Sequence, residues 1–515
     1  MRTPFQNEPV RLYRDPAERE ALLAAQEKVR SEFGRAYPLV IGGQRIETNR
    51  KRPSINPSRS EEVIAQVSQA DRSHVDKAMK TAWEAFERWS RVHPEARARV
   101  LLRAAAEMRR RRYELVALEQ FEAGKPAVEA DADVAEAIDF LEYYAREMVR
   151  LSQHPDLTRL PDEDNDLVYI PLGVGAIIPP WNFPLAILTG MTSSAVVTGN
   201  TVLLKPASAT PVIGYKFVEI MEEAGLPPGV INFLPGSGEE IGDYLVDHPK
   251  TRFISFTGSR DVGVRIYERA AKVHPGQIWL KRVVAEMGGK DAIVVDEGAD
   301  YEAAAAAIVS SAFGFQGQKC SAASRVIGIG KAYDEVLERA VERTKKLKVG
   351  PAWDLDVDMG PVIDEAAYRK ILDYIEVGKR EGKLVTGGEK GPREGYFIEP
   401  TIFADVAPDA RIAQEEIFGP VCAFIRAKDF DEAMEIANGT QYGLTGSVYS
   451  RNMDHLERAR VEFHVGNLYL NRKCTGALVG VHPFGGFNMS GTDSKAGGPD
   501  YLLSFLQAKA ISERL

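Results

Sequence analysis

A cysteine in a glycine-containing turn is the first candidate for chemistry in this sequence. Cys320 stands in the run Gly317-Gln-Lys-Cys-Ser, directly before an apolar stretch. Glycine permits a tight turn, and the adjacent Lys319 is expected to favour the thiolate over the thiol. A buried structural cysteine is the alternative, but the polar neighbours favour a nucleophile. Cys422 and Cys474 lack such surroundings, and we assign them no chemistry.

A thiolate nucleophile needs a donor for the oxyanion and a base that helps to release the acyl group. The eight histidines include no evident base. Glu286 lies between apolar neighbours and a Gly-Gly turn, where a raised pKa suits a base, although a solvated strand-end carboxylate is the alternative. Asn182, in the rigid run 179–184, offers an uncharged amide for an oxyanion. An ordinary proline-rich loop with a packed tryptophan is the alternative there.

Two glycine clusters indicate phosphate binding. Gly236-Ser-Gly238 with Gly242 nearly matches the dinucleotide fingerprint but is one residue too long, and a plain glycine turn is the alternative. Phe256-Thr-Gly-Ser259 follows an apolar stretch and opens a helix, where free amides attract anions, unless it is a simple helix cap. From the fingerprint alone, the first cluster ranks higher.

Short apolar runs alternate with helical periodicity after residue 161, which predicts parallel sheets and two α/β lobes that meet near Gly288-Gly289. Helices dominate residues 73–147, a charged helical arm covers 11–35, and a hairpin is expected over 37–46. The predicted strands cover 173–178, 201–204, 230–234, 252–256, 291–295 and 324–329. The predicted helices between them cover 186–197, 212–224, 262–271, 301–313 and 333–346.

Composition narrows the class of protein. A chain of 515 residues with 44% apolar content excludes intrinsic disorder and suggests two to four domains. The charge, 65 − 74 = −9, gives no general attraction to nucleic acid or acidic membranes. Three scattered cysteines fit neither a disulfide framework nor a metal cluster, so no metal site is predicted. Without an apolar leader or a long apolar span, we expect a soluble cytoplasmic protein.

Seven short motifs, in order along most of the chain, resemble the aldehyde dehydrogenase superfamily. They are Pro180-Trp-Asn-Phe-Pro184, Leu204-Lys-Pro206, Phe256-Thr-Gly-Ser259, Glu286-Met-Gly-Gly289, Gly317-Gln-Lys-Cys320, Glu416-Ile-Phe-Gly-Pro420 and Pro483-Phe-Gly-Gly486. The N-terminal arm, Gln318-Lys-Cys-Ser321 and the run 471–479 are more specifically similar to the branch that oxidises L-glutamate γ-semialdehyde to L-glutamate in proline degradation. The chain is too short to contain the proline dehydrogenase of the bifunctional relatives, so coupling to a separate proline dehydrogenase is expected.

The resemblance implies an α/β fold with a Rossmann-like NAD lobe, an α/β catalytic lobe and a β-flap for oligomerisation. The chain is therefore expected to form dimers or assemblies of dimers. The implied bounds are 1–150 and 171–287 for the NAD-binding domain with its arm 1–35, 288–498 for the catalytic domain, and 151–170 with 499–515 for the flap.

The resemblance also implies roles for single residues, at the positions of this sequence that match the motifs of the family. The resemblance implies that Cys320 is the nucleophile, that Asn182 holds the oxyanion and that Glu286 activates the water that releases the product. The implied NAD contacts are Lys205 and Ser208 at the adenosine ribose, Gly258 and Ser259 at the pyrophosphate, Phe418 at the nicotinamide and Glu416 at its ribose, with Trp181 as a further cofactor contact. Glu415 competes with Glu416 for that role, and the loop 236–242 becomes a secondary loop on the cofactor side.

A serine at position 208, where many NAD-restricted members carry glutamate, leaves NADP acceptable as well as NAD. For the substrate, Ser321, Gly476 and Ala477 are expected to bind the α-carboxylate, and Phe183 and Phe484 to flank the aliphatic stem. Glu136 is a candidate for the ammonium side, a solvated helical face being the alternative.

Other functions keep part of this set of residues. The nearest is oxidation of another aliphatic aldehyde or semialdehyde, such as succinate semialdehyde. A thiol hydrolase or acyltransferase retains the cysteine without needing a hydride acceptor. A non-enzymatic binding role leaves the combination of Cys320, Glu286 and Asn182 unexplained.

Overall fold

The computed structural model describes residues 4–153, 155–392 and 394–515. The predicted arm and flap therefore each include positions outside the described residues, at 1–3 and at 154. The α-helices of the described ranges are α1 Pro16–Ser31, α2 Arg72–Trp89, α3 Pro94–Arg110, α4 Arg112–Glu122, α5 Ala127–Leu151, α6 Ala186–Val197, α7 Pro211–Glu223, α8 Asp243–Asp247, α9 Arg260–Ala271, α10 Tyr301–Phe313, α11 Ala332–Thr344, α12 Glu365–Glu381, α13 Arg411–Gln414, α14 Phe430–Asn438 and α15 Met453–Glu462.

Most strands of the described residues belong to two seven-stranded sheets. The strands are β1 Arg35–Tyr37, β2 Leu39–Ile41, β3 Gln44–Ile46, β4 Lys51–Ile55, β5 Val63–Ser68, β6 Glu163–Pro171, β7 Val174–Ile178, β8 Thr201–Leu204, β9 Ile231–Phe233, β10 Phe253–Thr257, β11 Arg282–Glu286, β12 Asp291–Val295, β13 Ala323–Ile329, β14 Lys383–Thr386, β15 Thr401–Ala404, β16 Val421–Ala427, β17 Tyr442–Gly443, β18 Thr445–Tyr449, β19 Asn467–Leu470, β20 Phe487–Asn488 and β21 Leu506–Arg514. The predicted strands and helices after residue 161 are confirmed, with bounds that differ by at most about two residues.

The first sheet has the order β11-β10-β7-β8-β9-β2-β3. Its first five strands are parallel, and in chain order they run 3-2-1-4-5 across the sheet, as in dinucleotide-binding folds. The order reverses between β7 and β10, and ligands of such sheets bind at the carboxyl ends of the strands beside this reversal. The predicted hairpin over 37–46 is β2 and β3, joined by Gly42 and Gly43 with φ of 62° and 80°.

The second sheet has the order β14-β15-β16-β13-β12-β18-β19 and is parallel except for β14. The chain leaves the first sheet at the end of β11, at Glu286, and enters the second at Asp291, the start of β12. The linking residues include Gly288 and Gly289, where the sequence predicts the change of lobe. The two sheets thus meet where the candidate nucleophile and base lie.

Two further features lie outside the seven-stranded sheets, in addition to the three-stranded sheet β1-β5-β4 and the pair of β17 and β20. Strands β6 and β21 pair antiparallel over nine residues each and form a two-stranded ribbon, as the β-flap prediction expects. Helix α5, a 25-residue helix, packs against α3, α4 and α6. No helix in the described part of the chain is long and apolar enough to cross a membrane.

Candidate active site

The candidate residues gather at one edge of the first sheet. Trp181 and Asn182 follow β7, Lys205 follows β8, Ser259 follows β10, and Glu286 ends β11. Because these strands are parallel, their carboxyl ends meet at the same edge. Residues far apart in the sequence are therefore brought to one cleft beside the reversal of strand order.

Cys320 follows an unusual backbone turn. Phe315, Gln316 and Gly317 all have φ between 48° and 66°, in the left-handed region that non-glycine residues rarely adopt. The Gln316 side chain holds this turn, since Nε2 donates to the carbonyls of Gly124 and Pro361 at 3.0 and 2.7 Å. Consecutive residues of this kind are concentrated at functional sites, where the surrounding structure maintains the strain.

The prediction that Lys319 favours the Cys320 thiolate is wrong. The Lys319 ammonium lies 2.7 Å from the Glu129 carboxylate, so its charge is already paired. Burial raises the pKa of the Cys320 thiol, and the negative charges of Asp291, Glu416 and Glu286 raise it further. Ionisation of this thiol therefore requires a positive charge other than the neighbouring lysine.

The Asn182 side chain is fixed close to the nucleophile. It is 4% exposed, and Nδ2 donates to the carbonyl oxygen of Gln318, two residues before Cys320, at 3.0 Å. A carboxamide has two N–H groups. One holds Asn182 against the left-handed turn of residues 315–317 before Cys320, which we call the nucleophile turn. The other remains available to an oxyanion.

Glu286 occupies a buried position in which only one carboxylate oxygen has a donor. Ser494 Oγ donates to Oε1 at 2.6 Å, whereas the buried Oε2 accepts no hydrogen bond from the described residues. Burial raises the pKa of Glu286 to about 7, although Ser494 and Lys495 oppose the shift. The backbone of 490–492 pairs along β11 and holds this loop against the glutamate. A carboxyl group with this pKa changes protonation near neutral pH, as a general base requires.

Of the two adjacent glutamates considered for the nicotinamide ribose, the geometry favours Glu416. Glu415 accepts bonds from Arg411 and from the hydroxyl of Tyr374, which lower its pKa to about 2 and hold it away from the cleft. Glu416 Oε1 instead accepts the Gly289 amide at 2.9 Å. A Cβ atom at Gly288 would overlap the Glu416 carboxylate, so glycine is required for this approach.

A small pocket lies beyond the ends of β8 and β9. Its lining includes Ser208, Arg52, Pro206 and Gly236. Lys205, directly after β8, is 7% exposed, and among the described residues its Nζ makes only a long contact of 3.4 Å with the Pro206 carbonyl. Burial and the charge of Arg52 lower the pKa of Lys205 to about 8. A buried lysine directly before Pro206 of this pocket, with no carboxylate paired to it in the described part of the chain, suits hydroxyl or phosphate oxygens of a nucleotide.

The predicted pyrophosphate and nicotinamide contacts also have a fitting geometry. Ser259 precedes α9, and its side chain makes no capping bond, so the amides at the start of this 12-residue helix are available to an anion. Trp181 packs edge-on against Phe418, with 5.6 Å between the ring centroids. The residues present therefore fit a dinucleotide along this edge of the sheet.

The predicted substrate residues come from two segments near the nucleophile. Ser321 is buried, and its carbonyl accepts the Cys474 thiol at 3.5 Å, which brings the loop of Gly476 and Ala477 beside it. Arg472 stabilises this loop through the Gly476 carbonyl at 2.6 Å. On the other side, Phe484 directly precedes Gly485, whose backbone lies against the Glu286 carboxylate.

The solvated alternative for Glu136 is wrong. Burial and Asp133 raise its pKa to about 8, and Lys125 and Lys319 lie close enough to oppose that shift. Glu136 therefore belongs to a charged internal face of α5. The helix presents this face toward the nucleophile turn, since Glu129 on the same helix pairs with Lys319.

The aldehyde dehydrogenase family model matches residues 45–511. The chain belongs to the aldehyde dehydrogenase family. It is 65% identical, over 99% of both chains, to 1-pyrroline-5-carboxylate dehydrogenase of Geobacillus kaustophilus. The structure of 1-pyrroline-5-carboxylate dehydrogenase from Thermus with bound NAD is 56% identical, covers 100% of this chain and 99% of its own, and superimposes with a TM-score of 0.98.

Another aldehyde dehydrogenase fold of the same shape lies in a longer protein. Proline utilization A from Bdellovibrio bacteriovorus is 45% identical and matches 99% of this chain, with a TM-score of 0.98. This chain covers 53% of that protein. The predicted family and fold class are therefore confirmed.

Sequence reasoning missed several polar groups that the fold brings to this aldehyde dehydrogenase site. Ser494 contacts the proposed base, Arg52 lines the Ser208 pocket, and Lys125 lies under the Asn182 loop. Each lies more than a hundred residues from its partner in the chain, except for Lys125, which is 57 residues from Asn182. One signal was present: Lys125 is the charged residue in the break between α4 and α5, where its neighbours are Ala123, Gly124 and Pro126.

Proposed function

We propose that this chain oxidises L-glutamate γ-semialdehyde, the open form of 1-pyrroline-5-carboxylate, to L-glutamate in proline degradation, with NAD as the cofactor. The observation that carries the proposal is the grouping of Cys320, Asn182 and Glu286 where the two sheets meet. This grouping occurs in a chain that is 65% identical to a 1-pyrroline-5-carboxylate dehydrogenase. Comparing NADH formation from glutamate semialdehyde, succinate semialdehyde and a short aliphatic aldehyde tests the substrate, and a lack of preference for the first contradicts it.

The first chemical step is addition of the Cys320 thiolate to the aldehyde carbon. When bound, NAD supplies a positively charged nicotinamide, which offsets the nearby carboxylates, and it accepts the hydride. The free N–H of Asn182 and the backbone amide of Cys320 hold the oxyanion of the thiohemiacetal. Loss of hydride from the former aldehyde carbon leaves a thioester on Cys320.

Glu286 acts in the second step. Its free Oε2 accepts a proton from water as the water attacks the thioester carbon, and the C–S bond then breaks to regenerate the thiolate. The product leaves as the carboxylate. A pKa of about 7 means that Glu286 is both ionised often enough to accept the proton and basic enough to hold it.

Four groups of contacts support the cofactor assignment within this proposal. Lys205 and Ser208 would hold the adenosine ribose, Gly258 and Ser259 the pyrophosphate, and Glu416 the nicotinamide ribose. Trp181 and Phe418 would lie beside the nicotinamide ring.

Cofactor choice is open to a direct test at Ser208. Arg52 lines this pocket and Lys205 directly precedes Pro206 of its lining, so we propose that NADP is accepted with lower efficiency than NAD. Ser208→Glu is expected to lower kcat/KM for NADP at least about tenfold relative to NAD, because juxtaposed like charges cost up to several kcal/mol. Ser208→Ala is the control without added charge. An unchanged ratio of the two kcat/KM values in the glutamate variant places Ser208 away from the 2′ position.

The substrate carboxylate is assigned to the amides of Gly476 and Ala477, with Ser321. Ala477→Leu is expected to raise KM for glutamate semialdehyde by about 10- to 100-fold, since hydrogen bonds to a charged group contribute roughly 1.5–3 kcal/mol. A short aldehyde without a carboxylate should be affected much less. Ala477→Gly, which preserves the amides, is the control. Equal losses for both aldehydes in the leucine variant argue against this anchor.

Phe183 and Phe484 are proposed to flank the aliphatic stem, and Glu136 to face the substrate ammonium. The charged environment of Glu136 supports that role, because a cation would stabilise its ionised form.

The proposed domain bounds are 1–150 with 171–287 for the NAD-binding domain, 288–498 for the catalytic domain, and 151–170 with 499–515 for the flap.

Assembly and context complete the proposal. The ribbon of β6 and β21 supports a homo-oligomer, a dimer or an assembly of dimers, since in the described residues these two strands form a sheet of their own, to which a strand of a second copy can be added. Three free thiols favour a reducing compartment, the cytoplasm. The match to about half of a longer proline utilization protein supports functional coupling to a separate proline dehydrogenase.

A further inference from the structure

A buried ion pair contacts the loop that carries Asn182, the proposed oxyanion donor. Lys125, between α4 and α5, is 0% exposed, and its Nζ lies 2.7 Å from Oδ2 of Asp133, which is also 0% exposed. Burying a lysine and a carboxylate is costly unless both are paired and hydrogen-bonded. The other contacts of this pair therefore indicate what it does.

Both members of the pair hold the loop that carries Asn182. Lys125 Nζ donates to the backbone carbonyl of Asn182 at 2.9 Å. Asp133 Oδ1 accepts the backbone amide of Ala186, the first residue of α6, at 2.6 Å. The segment from Asn182 to Ala186 is thus fixed at both ends by one ion pair.

The same lysine also contacts the turn that leads to the nucleophile. Its Nζ lies 4.2 Å from the centroid of the Phe183 ring and 4.6 Å from that of Phe315. A desolvated ammonium near aromatic rings is attracted by them. Phe315 is the first left-handed residue before Cys320. Lys125 therefore joins the loop of the oxyanion donor to the turn of the nucleophile.

Glu119 completes the charge balance of the cluster. It is fully buried, 4.0 Å from the Lys125 ammonium, and neither of its carboxylate oxygens accepts a hydrogen bond from the described residues. Burial and the neighbouring Asp133 raise its pKa well above the usual value. As the neutral acid, Glu119 can donate its proton to Asp133. The cluster then contains one cation and one anion.

We propose that Lys125 is a positioning residue that sets the oxyanion site by holding Asn182 against the nucleophile turn. The inference rests on the proposed function, in which Asn182 stabilises the oxyanion. Lys125 does not touch the reacting atoms, and it acts through the Asn182 carbonyl. A shift of about 1 Å in a catalytic group can cost on the order of 10²-fold in rate.

The test uses a variant that removes the lysine without leaving a buried charge. In Lys125→Met/Asp133→Asn, the new amide oxygen still accepts the Ala186 amide and its nitrogen can donate to Glu119. The Asn182 carbonyl alone loses its donor. We expect the first NADH-forming turnover, followed by stopped-flow, to slow by about 10- to 100-fold. NAD binding should change much less than this turnover, because Lys205, Ser208 and Ser259 lie on other loops and only Trp181 of the proposed cofactor contacts lies beside Asn182.

Non-additivity with Asn182→Ala separates positioning from a general loss of structure. Asn182→Ala alone is expected to slow the same turnover by about 10²–10³-fold, the usual effect of losing an oxyanion donor. Adding Lys125→Met/Asp133→Asn to it should then cost less than about threefold more, because the residue through which Lys125 acts is already gone. Arg112→Met/Asp131→Asn, which removes another buried pair of α4 and α5, is the control and should lower the melting temperature without slowing this turnover.

Each other outcome has a distinct meaning. A normal turnover in Lys125→Met/Asp133→Asn, or losses that add to those of Asn182→Ala, overturns the positioning role while leaving the proposed function intact. A normal turnover in Asn182→Ala overturns both the oxyanion assignment and the inference. If the Lys125→Met/Asp133→Asn chain fails to fold by circular dichroism, Lys125→Arg replaces it. That variant keeps the charge opposite Asp133 but displaces the donor, so the same slow, non-additive turnover is expected, and a normal rate overturns the inference.

Discussion

Cys320→Ser is expected to abolish NADH formation from every aldehyde while the chain keeps its fold. A serine hydroxyl ionises far less readily than a thiol. Burial and the carboxylates of Asp291, Glu416 and Glu286 further disfavour an anion at this position. Exchange of one sulfur for oxygen within the turn leaves the packing nearly unchanged, so the melting temperature should move by only a few degrees. The measurements are NADH absorbance and calorimetry.

Cys422→Ser is the matched control for that experiment. Cys422 lies in β16, is fully buried and does not belong to the proposed catalytic set. Its serine variant is expected to lose some stability, because a hydroxyl replaces a buried thiol, and to keep its kcat. Sustained NADH formation in Cys320→Ser would mean that another group attacks the aldehyde.

Glu286→Gln is expected to separate the two chemical steps. Thiolate addition and hydride loss do not need the base, so the variant should form about one NADH per active site in a rapid burst. Release of the thioester should then slow by about 10²–10⁴-fold, the usual contribution of a positioned base. Rapid mixing with excess substrate measures both phases. A steady rate equal to that of the unaltered chain argues that Glu286 does not activate the water.

The pH dependence gives a second readout of the same residue. Only the ionised form of Glu286 accepts a proton, so thioester release should rise with pH through about 7 and then level off. Ser494→Ala removes a donor that lowers this pKa, and the rise should move to higher pH. In Glu286→Gln the rise should disappear. A profile that Ser494→Ala leaves in place would assign the titration to another group.

Much of the fold follows from local patterns. Short apolar runs bounded by glycine and proline predicted β7, β8 and β12 because a strand buried on both faces needs only apolar residues in sequence. The order of these strands across the sheet depends on contacts between distant segments, which a local pattern does not contain. The resemblance carried by the seven motifs implied a Rossmann-like lobe and an α/β lobe, and the order of the strands was not predicted.

The pairing of charges in the site was harder to predict from the sequence than the positions of the strands. Lys319 is adjacent to Cys320 in the sequence, yet its ammonium pairs with the carboxylate of Glu129 on α5. Glu136 has the helical spacing of a solvated face, but α5 turns that face inward. In both cases the pairing of charges is decided by the packing of helices, and neighbours along the chain indicate it poorly.

Because two of the three thiols are buried, chemical labelling of cysteine can count the active sites in a preparation of this protein. Cys422 and Cys474 are 0% exposed, so alkylating reagents should reach neither in the folded chain. Cys320 is partly accessible. One equivalent of bound reagent per chain would thus report the fraction of competent active sites, and two further equivalents would appear only as the protein unfolds.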